Sequence, residues 1–229
     1  FMSDTRTNAG FDNISQFCKL FTFENKGKRF ITLLAAGNLA TTQSVLSLLE
    51  ERNKALAEAE SSIMKAPSMF QVARLVGDTL REVIQRNSDV GQKADATFHA
   101  TFIVGGQING SKSRLFLVYP EGNFIEANSD TPYFQIGETK YGKPILLRAY
   151  DADMSWEEAI KLLLISFDST IKANLSVGLP LDMQVYQTDS FECLHRHRIN
   201  AEDPYFVNVS QGWGNALKSA FKKLPDFNL

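Results

Sequence analysis

An acid, a hydroxyl, a base and a second hydroxyl stand in a row near the start of the chain, Asp4-Thr5-Arg6-Thr7. Further on, a lone cation, Lys19, sits among Phe17, Leu20, Phe21 and Phe23. An isolated ammonium is expensive to bury among apolar groups, so Lys19 calls for a carboxylate partner. The turn-prone Asn8-Ala9-Gly10 between the two segments predicts neighbouring extended strands that bring Asp4 and Lys19 side by side. Such a pair is either scaffolding, a cross-strand ion pair, or half of a catalytic apparatus; spacing alone makes the scaffold the default.

Other groups carry weaker signals. Ala35-Ala36-Gly37-Asn38 closes an apolar run. A glycine at such a corner can offer its N–H to an oxyanion, cradle a phosphate at a helix N-terminus, or simply pack. The stretch from Gly37 to Thr42 lacks the Gly-Lys-Ser/Thr ending of a phosphate loop, which counts against a nucleotide. His195 and His197 alternate on an extended segment and so share a face, half of a metal site. Arg196 and Arg198 oppose a cation there and no third ligand is near, so these histidines are expected at the surface or an interface. No metal or other cofactor is expected. Gly105-Gly106 predicts a tight turn or bulge that stops a strand. Trp213 and Phe221 are expected in the core or at a subunit contact.

The elements that must position these groups follow from patterning. Arg29 to Ala36 reads as a buried strand, reached through a hairpin at Asn25-Lys26-Gly27-Lys28. Leu39, Thr42, Val45, Leu46 and Leu49 recur at helical spacing directly after Gly37-Asn38. Residues 53 to 68 carry no periodic signal. Ser68 then caps a second helix through Val72, Leu75, Val76, Leu80, Val83 and Ile84, followed by a polar connection from Arg86 to Asp95. Strands are predicted over 97–104, 114–119, 124–127 and 133–136. Ser155 with Glu158 forms a capping box for a further helix, Asp182 to Tyr186 returns as a strand, and a small helix closes the chain from about Gln211 to Lys222. Helices inserted between groups of strands predict an α+β fold, a four-layer α-β-β-α sandwich of two stacked antiparallel sheets over residues 1–229 as one domain.

Bulk properties narrow the classes. The 229 residues carry 24 basic and 26 acidic side chains, a net charge of −2, so no general attraction to nucleic acid or an anionic membrane is built in. No apolar run reaches the roughly 18 residues of a membrane span. The first residues are charged and lack a leader's apolar segment, and Cys18 and Cys193, expected as core thiols, suit a reducing compartment; a cytoplasmic protein is expected.

Taken in order, these segments resemble a known family. Ser3-Asp4-Thr5-Arg6-Thr7 is similar to the S-D-x-R motif of proteasome β subunits and HslV, and Cys18-Lys19-Leu20-Phe21 to the segment with their catalytic lysine. Ala35-Ala36-Gly37-Asn38, Gly105-Gly106-Gln107, Leu117-Val118-Tyr119-Pro120-Glu121-Gly122 and Gln135-Ile136-Gly137 match the later landmarks. The combination of Asp4-Thr5-Arg6-Thr7-Asn8-Ala9-Gly10, Ala36-Gly37-Asn38-Leu39-Ala40-Thr41-Thr42-Gln43 and Ile136-Gly137-Glu138-Thr139-Lys140-Tyr141-Gly142-Lys143-Pro144 resembles the bacterial proteasome-like branch called Anbu. Where the family has Ile-Gly-Ser this chain has Ile136-Gly137-Glu138, and the later loop that usually supplies an Asp and a Ser offers Ser176 within Asn174-Leu175-Ser176-Val177-Gly178.

The resemblance implies an N-terminal nucleophile hydrolase, a threonine peptidase whose terminal hydroxyl is activated by its own α-amine. Lys19 would help keep that amine neutral, Asp4 would hold Lys19, Arg6 would complete the charge cluster, Gly37 would donate to the oxyanion and Ser176 would support the centre. The chain opens with Phe-Met in mid-strand, so the nucleophile and a first strand are expected upstream of Phe1, and a chain starting at Phe1 is expected to be inert. Identical subunits and a peptide or protein substrate are the expected partners, an unfoldase partner is left open, and no nucleic acid or membrane is expected. The alternatives are a non-catalytic assembly subunit of the same fold and, more distantly, a small-molecule or phosphate-binding domain using Gly37.

Overall fold

A computed structural model describes residues 1–8, 14–55, 62–91 and 98–228. The predicted turn after Asn8, part of the unpatterned stretch at 53–68, and Thr97 lie outside them. The chain forms two compact units: Phe1–Ser3, Gln16–Gly137 and Asp182–His197 make the first, and Asp4–Ser15, Glu138–Leu181 and Arg198–Leu229 the second.

In chain order the first elements are short: β1 (Met2–Asp4), β2 (Arg6–Asn8) and β3 (Ile14–Gln16). A hairpin follows, β4 (Leu20–Asn25) and β5 (Arg29–Gly37), turning at Gly27 with φ +71° and closed by Lys28 N donating to Asn25 O at 2.9 Å. Helices α1 (Leu39–Lys54) and α2 (Met69–Gly91) lead to β6 (Ala100–Ile108), β7 (Arg114–Val118) and β8 (Phe124–Glu126). Next come α3 (Lys143–Ala149), α4 (Trp156–Ala173), β9 (Leu181–Val185), β10 (His195–Ile199) and α5 (Pro204–Lys223).

In the first unit β4-β5-β6-β7-β8 make an antiparallel sheet. Strand alternation gives it two buried faces. Ile31, Leu33, Ala35, Phe102, Val104, Phe116 and Val118 meet Val45, Leu49, Val72, Val76 and Leu80 of α1 and α2 in one core. The opposite face carries Phe30, Thr32 and Leu34. Phe30 stacks on Tyr186 with ring centroids 4.3 Å apart, and Leu34 joins a smaller cluster with Leu20, Ile103, Phe1 and Phe134.

The second sheet has the order β1-β9-β10. Phe1 and Gln184 exchange both backbone bonds, N–H to O at 2.8 Å and O from N–H at 2.9 Å, the mark of an antiparallel pair. The buried Gln184 carboxamide reaches the other sheet. Its Nε2 donates to Thr32 Oγ1 at 2.7 Å, while Oε1 accepts from Thr22 Oγ1 at 2.8 Å and Arg196 Nη2 at 3.0 Å. Every polar atom of that side chain is used, as a buried amide demands.

In the second unit, β2 pairs with β3, α3 packs on α4, and α4 on α5. Ser155 and Glu158 form the expected capping box of α4. Lys172 Nζ joins α4 to α5 by donating to Asp168 Oδ2 and Ser210 Oγ, both at 2.9 Å.

Several expectations need correction. Asp4 and Lys19 do not lie on neighbouring strands: β1 pairs with β9, whereas Lys19 precedes β4, which pairs with β5. Gly105-Gly106 does not stop a strand, because β6 continues through it in unbroken register to Ile108. Side chains are excluded there because the Phe1 ring lies over Gly105 and the Phe30 carbonyl against Gly106. Tyr133 to Ile136 forms no strand; Phe134 and Ile136 pack their side chains into the smaller cluster instead of joining a ladder. The expected connection after Arg86 is helix as far as Gly91, with no Pro or Gly to break it sooner and an Arg86–Glu82 ion pair at 2.8 Å along it. The closing helix begins earlier, at Pro204, where Asp203 caps it through the amides of Tyr205 and Phe206. The short α3 is an addition. Cys18 is exposed and Cys193 half-buried, so neither is a core thiol; Phe221 is exposed, which removes the core alternative for it and leaves the subunit contact. Among the described residues no helix is long and apolar enough to cross a membrane.

Candidate active site

The short strand-and-bend at the head of the second unit carries Asp4, Thr5 and Arg6. Asp4 is 8% exposed, and its Oδ2 accepts the amides of Arg6 at 3.2 Å and Gly178 at 3.3 Å. Thr5 is buried and its hydroxyl donates to Pro180 O at 2.9 Å. The Arg6 guanidinium donates to Leu175 O at 2.9 Å and lies flat against the Cα of Gly178, where a Cβ would collide with it. The carboxylate of Asp4, the hydroxyl of Thr5 and the guanidinium of Arg6 therefore clasp one loop, Asn174 to Pro180.

That loop is the C-terminal cap of α4. Asn174 N closes the helix onto Thr170 O at 2.9 Å. The Asn174 side chain works in both directions: Oδ1 accepts the Ser176 amide at 2.8 Å, and Nδ2 donates to Glu138 Oε2 at 2.7 Å. Glu138 Oε1 accepts the Lys140 amide at 2.9 Å. The structure thus gathers Asp4, Arg6 and Ser176 with two residues not singled out as functional, Asn174 and Gly178. The signal available in sequence was Glu138 itself, an acid standing where the resembling family has serine.

The first unit supplies Lys19 and Gly37. Lys19 O accepts the Ala35 amide at 3.1 Å, which extends the β4–β5 ladder and brings Lys19 and Gly37 to the same end of the sheet. Gly37 has φ +112°, and a Cβ there would fall 2.5 Å from His99 O, so the crossing backbone alone requires glycine. Asn38 caps α1, its Oδ1 accepting Thr41 N at 3.0 Å, so the predicted strand-to-helix corner is present. Gly137, at φ +77°, sits beside it, its missing Cβ only 3.3 Å from that of Ala36. The Asn38 amide is committed there, donating to His99 O at 2.8 Å, so of the corner's amides it is not the one left for a developing negative charge.

His195 and His197 are exposed on β10, as expected of surface residues. Among the described residues no group of three or more His, Cys, Asp or Glu side chains could hold a metal ion.

The family profile described as "Proteasome subunit" matches residues 29–183, more than half of the chain. The chain belongs to the proteasome subunit family. Among solved structures, this proteasome-family chain is 49% identical to Anbu from Hyphomicrobium sp. strain MC1, with a TM-score of 0.91, covering 100% of this chain and 94% of that one. It is equally 49% identical to Anbu (ancestral beta-subunit) from Yersinia bercovieri, with a TM-score of 0.90 and the same coverage. A third match, described as the helical assembly of the Anbu complex from Pseudomonas aeruginosa, is 43% identical with a TM-score of 0.92, covering 99% of this chain and 92% of that chain. No curated protein matches. The Anbu-branch resemblance read from the motifs and the α+β sandwich fold are both established by these relatives.

Proposed function

We propose that this chain is a subunit of a threonine-type peptidase that hydrolyses peptide bonds within an assembly of identical copies. The nucleophile in this reading is an N-terminal threonine. The observation that carries it is the buried Asp4 carboxylate, which accepts two backbone amides and neighbours the clasped Arg6 guanidinium. A buried carboxylate so fixed is a preorganised charge, and in this chemistry it stabilises the ammonium of Lys19, which in turn keeps the terminal α-amine a neutral base. That amine takes the hydroxyl proton as the hydroxyl adds to the substrate carbonyl, and the Gly37 N–H donates to the oxyanion. Ser176, with its amide fixed by Asn174, lies in the supporting loop.

The replacement of the family's serine by Glu138 favours a second reading, a non-catalytic assembly subunit of the same fold. Intact mass of the natural protein separates the two: a first residue other than Thr, Ser or Cys removes the peptidase. If the natural protein cleaves fluorogenic peptides, Lys19→Ala is expected to lower kcat by about a hundredfold or more. An unchanged rate would show that Lys19 has no part in the reaction. Identical subunits are the proposed partners, and the protein is placed in the cytoplasm.

A further inference from the structure

We propose that Glu138 is a positioning residue that sets the Asp4 carboxylate through the loop Asn174–Gly178, a role that deepens the peptidase reading and rests on it.

The path is continuous and local. Glu138 takes the Lys140 amide on one oxygen and the Asn174 side-chain amide on the other. Asn174, with its donor committed to Glu138, has its carbonyl oriented onto the Ser176 amide. Two residues beyond Ser176, the Gly178 amide donates to Asp4 Oδ2. Arg6 braces the same loop midway, at Leu175 O, and fills the space over Gly178. The loop thus has a carboxylate at each end, Glu138 holding its entry and Asp4 receiving its exit.

The chemistry explains the residue types. Asn is the one side chain of its length that donates to a carboxylate while accepting a backbone amide. An Asp at 174 facing Glu138 would oppose two acids and lose the donor. An Asp at 174 facing an amide at 138 would restore the bond with its direction reversed. Glu138→Gln keeps an oxygen for the Lys140 amide, and its new NH2 can donate to a carboxylate at 174. The pair therefore has a compensating double substitution that a merely space-filling contact would lack.

The test uses the natural full-length protein with E138Q, N174D and the double variant E138Q/N174D, each checked for native circular dichroism. The probes are fluorogenic peptides for rate and backbone-amide hydrogen exchange at Ser176 and Gly178. Each single variant is expected to speed exchange at both amides and to lower kcat by about tenfold with KM changed less than about twofold. The double variant is expected to recover both to within about threefold. Singles that match the wild type in exchange and rate would overturn the proposal, as would a double variant no better than its parents. Should the wild type cleave no peptide, the peptidase reading falls, and the exchange pattern at Gly178 alone decides whether Glu138 governs the Asp4 partner.

Discussion

At Gly178 the guanidinium of Arg6 occupies the volume a side chain would need. The obstructing atoms are the far end of a flexible side chain, so Gly178→Ala is expected to displace Arg6 and leave the fold intact. Loss of the Arg6–Leu175 bond should then lower peptidase kcat by about tenfold with little change in Tm, measured by steady-state kinetics beside calorimetry.

Among the elements, α2 approaches the β7–β8 turn closely, with Gly77 against the Gly122 carbonyl. In an open helix Gly77→Ala would be stabilising. Here the new methyl meets backbone that has no rotamer to yield, so the variant is expected to lose about 1–3 kcal/mol and several degrees of Tm by calorimetry. Close approaches of this kind mark what the sequence could and could not reveal. The β4–β5 hairpin, the Gly37 corner and the capping box of α4 were legible because each is dictated within a few residues. The continuation of β6 through Gly105-Gly106 was not, since those glycines answer to Phe1 and Phe30, partners distant in the chain. Asp4 and Arg6 were readable as a functional motif by type, yet their hold on the Asn174–Gly178 loop depends on tertiary placement. The strand expected beside that of Asp4 was misassigned for the same reason, since β1 pairs with β9.

At the scale of the whole molecule, several large apolar side chains of the described residues stay exposed, and α5 carries a row of them. Along α5, Leu217 is 51% exposed and Phe221 77%, while Trp213 on the same stripe is half-buried. Successive spacings of four place them on one helical face. An exposed apolar stripe of this kind suits a subunit contact. In the proposed assembly of identical copies, Phe221→Asp is expected to lower the sedimenting mass without lowering the stability of the monomer, as sedimentation velocity and calorimetry would show.

The Gln184 carboxamide has a consequence for how the chain finds its alignment. Strand pairing repeats every two residues, so a slip of β9 by one residue would present Met183 or Val185 to Thr22, Thr32 and Arg196. The fully buried Thr32 hydroxyl would then be stranded without water, at about 1–3 kcal/mol. Hydrophobic packing alone discriminates weakly between neighbouring alignments; one amide discriminates sharply. Because β1 is paired to β9 at that same residue, the side chain also sets the frame in which Ser3-Asp4-Thr5-Arg6 is read. A glutamine that touches no candidate site residue thereby acts as an error check on where the site's first carboxylate comes to rest.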